Sequence, residues 1–209
     1  MNIIDISWPI SSTMTTYKDE SKVILSPLKI IERDGVRKTA ITLDTHTGTH
    51  IDSPAHFKKD GITIDKIGLD TCMGPCVVID LSDIDGAIMA EHLEAYDFDE
   101  CDVVLIKTKN SKRAADAPFD QQFTYLDASA AAFFAEATDV QTIGFDYLGI
   151  ERNQPSHETH TMLFEAQITI IEGLRLEAVA EGEYFFVCLP LAVQGLDGAP
   201  ARAILVEGL

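Results

Sequence analysis

Three of the chain's six histidines, His46, His50 and His56, fall within eleven residues, where an even scatter would put about 0.3. An aspartate stands among them in the run Thr45-His46-Thr47-Gly48-Thr49-His50-Ile51-Asp52-Ser53-Pro54-Ala55-His56-Phe57. Imidazole nitrogens and a carboxylate with no thiolate form a donor set suited to Zn²⁺, Mn²⁺ or Fe²⁺. A straight strand would put His46, His50 and Asp52 on one face. It would also part residue 46 from 52 by roughly 20 Å, whereas bonds to one ion are only about 2.0–2.2 Å long. The chain must therefore bend if one ion is to use them all. Gly48 permits the unusual backbone angles a bend needs, and Pro54 stiffens the exit. The expected arrangement is a strand ending near Leu43, followed by a coiled ligand loop. In it the hydroxyls of Thr45, Thr47 and Thr49 bind freed backbone groups or orient the ligands.

One loop rarely completes a metal site. The second histidine-bearing stretch is His157-Glu158-Thr159-His160-Thr161-Met162-Leu163, followed by Ile168-Thr169-Ile170-Ile171-Glu172-Gly173-Leu174. If the first part opens a helix, His157 and His160 lie three apart on one face. Glu172 ends an apolar β run, so it either faces a site at a strand mouth or simply ends the strand in solvent.

The elements that must carry these residues read as a mixed α/β domain covering residues 1–209, with no repeat, low-complexity tract or linker to divide it. Expected strands are Ile3–Ile6, Val23–Ile31, Thr39–Leu43, Cys76–Leu81, Val103–Lys107, Thr142–Phe145, Ile168–Ile171, Tyr184–Leu189 and Ala201–Val206. Expected helices are Ala87–Tyr96, Ser129–Ala137, His157–Glu165 and Leu174–Glu181, of which the Ala-rich Ser129–Ala137 carries the strongest propensity. His92 falls on the first of these helices, at the surface.

Composition sets the outer limits. The chain of 209 residues carries 34 acidic and 16 basic side chains, a net charge of −18. That field disfavours nonspecific binding to nucleic acid or to an anionic membrane. No apolar run approaches the roughly 20 residues that span a bilayer, and the first residues lack the pattern of a secretory signal. The expectation is a cytoplasmic protein whose cysteines, Cys72, Cys76, Cys101 and Cys188, are reduced and buried. From Ile67 to Ile106 there are ten acidic residues and no Lys or Arg. This stretch reads as solvated surface rather than as a binding face.

The pattern His46-x-Gly48-Thr49-His50-x-Asp52-x-Pro54-x-His56-Phe57 resembles the signature of the metal-dependent cyclase/hydrolase family, which includes bacterial kynurenine formamidases, isatin hydrolases and polyketide-type cyclases. The resemblance spans nearly the whole chain. Asp5-Ile6-Ser7-x-Pro9-Ile10 is similar to the family's opening. His160-x-x-Leu163 with Glu172-Gly173-Leu174 resembles its second metal-binding block. Gly195-x-Asp197-Gly198-Ala199-Pro200-Ala201-Arg202-Ala203 resembles its C-terminal block.

The resemblance implies a swivelling β/β/α fold with a mixed sheet, usually in homodimers. It implies that His46, His50 and Asp52 bind a first metal, that Asp52 and Glu172 bridge to a second completed by His160, and that His56 is the catalytic acid/base. It implies one or two divalent ions, Zn²⁺ or Mn²⁺. The expected reaction is hydrolysis of a small N-acyl amide, with an N-formylkynurenine-like arylformamide as the first candidate. A cyclic-amide hydrolase acting on isatin-like substrates is the alternative, followed by a ring-forming cyclase or dehydratase. A non-catalytic metal-binding protein is disfavoured, because His56 is present as well as the ligands. One departure concerns substrate. Many formamidases carry an aromatic-Pro-Gly-Asp stretch with a substrate-contacting Trp, whereas this chain reads Met14-Thr15-Thr16-Tyr17-Lys18-Asp19-Glu20. Tyr17 either stacks on a planar ligand in its place or packs on a surface loop. Trp8 reads as structural.

Overall fold

The computed structural model describes residues 1–208. Among the described residues there are twelve strands: β1 Asn2–Asp5, β2 Ile24–Lys29, β3 Lys38–Thr42, β4 His50–Asp52, β5 Met73–Asp80, β6 Ala87–Ile88, β7 Val103–Lys107, β8 Tyr125–Leu126, β9 Thr142–Phe145, β10 Thr169–Glu172, β11 Gly182–Pro190 and β12 Gly198–Glu207. The α-helices are α1 Ile31–Asp34, α2 Ala128–Ala137 and α3 Glu158–Glu165. Eight strands form one mixed sheet in the order β1-β12-β11-β5-β7-β9-β10-β4. Because β12 also pairs with β4, seven of these strands close into a barrel and β1 hangs on β12. The β5–β7–β9–β10 run is parallel and the remaining pairings are antiparallel.

Alternation along the strands sorts the apolar side chains into two layers. Val103 and Leu105 of β7 join Val78, Ile171, Phe186 and Leu205 in one cluster, which fills the barrel. Val104 and Ile106 of the same strand join Ile143, Ile170 and the helix residues Phe134 and Leu163 in the other, which lies between the barrel wall and α2 and α3. Helix α2 begins where Asp127 accepts the Ser129 N–H at 3.0 Å, an N-cap that satisfies an otherwise orphaned donor.

Two expected helices do not form. Ala87–Tyr96 instead gives the short strand β6, paired with β8, and a single 3₁₀ turn over Ala90–His92. Its two fully buried residues, Ile88 and Leu93, are five positions apart, a spacing that no single helical face presents. His92 accordingly sits in a turn, where Nδ1 accepts the Met89 N–H. Leu174–Glu181 stays irregular: Leu174 forms an antiparallel bridge with Ser7, which holds the start of the segment extended, and the Arg175 N–H donates to the Ile6 carbonyl. Conversely, β4 forms inside the run expected to be coil.

The four cysteines are free thiols, with Cys101 half-buried and the others buried. None of the ten acidic side chains between Ile67 and Ile106 is buried. Among the described residues no helix is long and apolar enough to cross a membrane.

Candidate metal centre

The barrel closes at β4, and that closure builds the site. β4 lies between β10 and β12, with Glu172 directly across from His50 on one side and Gly198 across from Asp52 on the other. Residues opposite each other in an antiparallel pair point to the same face. Ile51 points into the barrel and is fully buried, so His50, Asp52 and Glu172 point to the outer face. Helix α3 then covers that face. Thr159, His160, Leu163 and Phe164 are its buried residues, and His160 presents Nε2 3.4 Å from both Asp52 Oδ2 and Glu172 Oε1.

His46 arrives by the bend. Gly48 adopts φ +65°, a left-handed conformation that favours glycine. The turn it makes brings His46 Nδ1 to 2.7 Å from Asp52 Oδ1, where a straight strand would have separated them widely. The three threonines hold the bend. Thr49 Oγ1 donates to the Gly173 carbonyl at 2.6 Å and accepts the Trp8 N–H at 2.7 Å. The Thr47 hydroxyl donates to Asp44 at 2.8 Å, and the Thr45 hydroxyl to Asp197 at 3.2 Å. Gly198 matters for a different reason. A Cβ there would come within 3.0 Å of the His46 ring and 2.9 Å of the Ile51 carbonyl.

Among the described residues three groups of potential ligand atoms result, each with its atoms within 4.8 Å of one another: the triads His46/His50/Asp52 and Asp52/His160/Glu172, which share Asp52, and His46/His56/Asp197 at the rim. His50 Nδ1 donates to the Gly48 carbonyl at 2.8 Å, which fixes the tautomer and leaves Nε2 with its lone pair. That Nε2 is buried, has no hydrogen-bond partner, and lies 3.3 Å from Asp52 Oδ1 and 3.4 Å from Glu172 Oε2. An orphaned buried nitrogen beside two buried carboxylates is costly unless a cation joins them. The donor set therefore fits a divalent metal. The electrostatics agree. Burial opposes a charge on His50, yet the Asp52 and Glu172 carboxylates outweigh it, so their field favours positive charge at this position. Burial likewise raises the Glu172 carboxyl, but the surrounding histidines overcome both burial and Asp52 and hold it at about 2.

His56 stands at the rim. It is the last residue of a 3₁₀ turn begun by Pro54, and its ring lies over that of His46 with centroids 4.0 Å apart. Burial, opposed in part by the charges on Asp52 and Glu172, holds its pKa below the ordinary histidine value. A cleft of about 470 Å³ opens above these side chains and is walled by Tyr17, Phe57 and Leu148. Tyr17 packs edge-on against Phe119, with ring centroids 5.1 Å apart, and remains 39% exposed. Trp8, by contrast, is buried in the outer core and donates from Nε1 to the Ala115 carbonyl.

Of the two alternatives open for Glu172, the structure has the strand mouth: it is buried and faces the cluster. His157 does not share a helical face with His160. It is the N-cap of α3, at φ +53°, and its Nδ1 bonds Glu151 Oε1. Two neighbours of the cluster carried no role in the sequence reading. Asp197 Oδ2 lies 2.9 Å from His46 Nε2 and 3.5 Å from His56 Nδ1. Glu151 Oε2 lies 3.0 Å from His160 Nδ1. Asp197 sits within the C-terminal block, which was a usable signal. Glu151 follows an apolar run in no recognisable spacing.

The sequence model of the cyclase family matches residues 4–152, most of the chain. The chain belongs to the cyclase family. Among cyclase-family relatives, it is 30% identical to a kynurenine formamidase of Bacillus cereus over 204 residues, 97% of this chain and 96% of that one. It superposes with a TM-score of 0.88, at 40% identity over 98% of this chain and 96% of the other, on a structure described as a potential metal-dependent hydrolase with cyclase activity. It shares its fold with isatin hydrolase A from Labrenzia aggregata, bound to benzyl benzoate, at a TM-score of 0.83 and 22% identity over 99% and 94% of the two chains.

Proposed function

We propose that this cyclase-family chain is a metal-dependent amidohydrolase cleaving a small N-acyl amide, with an arylformamide such as N-formylkynurenine as its substrate. The observation that carries this reading is the buried, unpartnered His50 Nε2 facing Asp52 and Glu172 at the floor of an open cleft. His46, His50 and Asp52 would hold one divalent ion, and Asp52, His160 and Glu172 a second. The nitrogen and oxygen donors, with no thiolate, favour Zn²⁺ or Mn²⁺. When bound, such an ion lowers the pKa of water and polarises a carbonyl.

The protein's own groups supply the rest. His56, off the ligand set and held below the ordinary histidine value, accepts a proton from the attacking water and returns it to the leaving nitrogen. Phe57, Leu148 and Tyr17 give the cleft an apolar wall against which a planar ring can lie. Kinship with kynurenine formamidases at 30% identity favours the formamide over the cyclic amide, since the isatin hydrolase shares the fold at only 22%.

Two further parts of the reading have their own support. A homodimer is supported by the β2–β3 hairpin, which exposes Ile24, Leu25, Leu28 and Ile41 together with Ile30, Ile31 and Val36 around α1. A cytoplasmic location is supported by the free thiols. The test of substrate is a panel of N-formylkynurenine, isatin and simple aryl formamides, assayed with the full chain. Faster turnover of the formamides is expected. Preference for isatin selects the alternative, and failure to cleave any amide contradicts the proposal.

A further inference from the structure

Each of the three histidines around Asp52 and Glu172 has one ring nitrogen facing the carboxylates and one facing away. What meets the outer nitrogen differs. His50 is fixed by its own loop, through the Gly48 carbonyl. The other two turn to carboxylates from distant parts of the chain. His46 Nε2 is 2.9 Å from Asp197 Oδ2. His160 Nδ1 is 3.0 Å from Glu151 Oε2, off the ideal N–H direction, and the His160 backbone N–H donates to that same oxygen at 3.2 Å.

Both carboxylates are themselves held. Asp197 accepts the Thr45 hydroxyl, and Glu151 is only 8% exposed with its second oxygen bonded by His157. A carboxylate on the outer nitrogen fixes an imidazole's tautomer and ring orientation and raises the basicity of the nitrogen that binds metal. Asp197 acts on His46 and Glu151 on His160, and these two histidines belong to different triads that share Asp52.

We infer that Asp197 and Glu151 are separate positioning residues, each setting ion affinity at one of two adjoining metal positions. This rests on the metal-centre reading above and adds that the two positions are tuned independently.

Zn²⁺ titration of the chelator-stripped full chain, in competition with a chromophoric chelator, reads the number of ions and the affinity of each step. The wild-type chain is expected to take up two. Glu151→Gln and Asp197→Asn keep side-chain size and an acceptor oxygen while removing the charge. Each is expected to weaken one step by about 10–100-fold and to leave the other at its wild-type value. The double variant is expected to be weak in both steps, which distinguishes two anchored positions from one. If Glu151→Gln fails to fold by circular dichroism, Glu151→Asp, which keeps the charge but shortens its reach, reads the same step. A single variant that binds both ions as the wild type does, or a double variant that retains one wild-type step, overturns the inference. So does a wild-type chain with one ion, or one with a third ion, which would make Asp197 a ligand with His46 and His56. A wild-type chain that takes up no Zn²⁺ overturns the metal-centre reading itself, and the inference with it.

Discussion

At the scale of residues, the histidines divide by what their nitrogens face. His46, His50 and His160 each present a nitrogen to a buried carboxylate, whereas His56 stands above them with its ring against that of His46. Replacing His56 with alanine should therefore leave metal content unchanged and lower turnover by about 10²–10⁴-fold. Metal analysis beside a steady-state assay checks this, and a His56→Ala chain with full turnover would remove the acid/base role. Much of this scale was legible in advance. The density of histidines near Asp52 pointed to metal chemistry, and the 20 Å problem forced the bend that Gly48 makes. What spacing could not reveal was the partner of each outer nitrogen. Asp197 is 151 positions from His46 in the chain, and only folding shows that they meet.

At the scale of elements, the site depends on how tightly β4 fits between β10 and β12. Coil is expected over His50–Asp52 because one ion can reach both His46 and Asp52 only if the chain bends, which Gly48 permits. Three residues suffice for a strand because neighbours on both sides supply the hydrogen bonds, an effect that lies outside the segment. The same non-local competition dissolved the expected helix at Leu174–Glu181. The tight fit has a measurable consequence at Gly198. Alanine there places a methyl against the His46 ring and the Ile51 carbonyl, an overpacking that should cost about 1–3 kcal/mol in urea unfolding. Because the His46 ring must shift to make room, Gly198→Ala should also weaken Zn²⁺ binding. Unchanged stability and affinity would show that β12 can move freely relative to β4.

At the scale of the molecule, the long strands of the closed barrel were readable from their apolar runs, and their alternation assigns one layer to the barrel interior and the other to the helices. Most of the negative charge lies at the surface, since only Asp52, Asp146, Glu151 and Glu172 of the 34 acidic side chains are buried. The hairpin and α1 together expose seven large apolar side chains. Changing both Leu25 and Ile41 to lysine should convert a dimer to a monomer by light scattering with little change in melting, because both side chains are already exposed. A chain whose assembly is unaffected would place the interface elsewhere. The central claim, that amide hydrolysis runs on a divalent ion held around Asp52, is tested most directly by assaying formamide hydrolysis before chelation, after it, and after re-addition of Zn²⁺ or Mn²⁺, with metal per chain measured at each stage. Turnover is expected to disappear with the metal and return with it, and turnover that persists in a chain shown to be metal-free would contradict the claim.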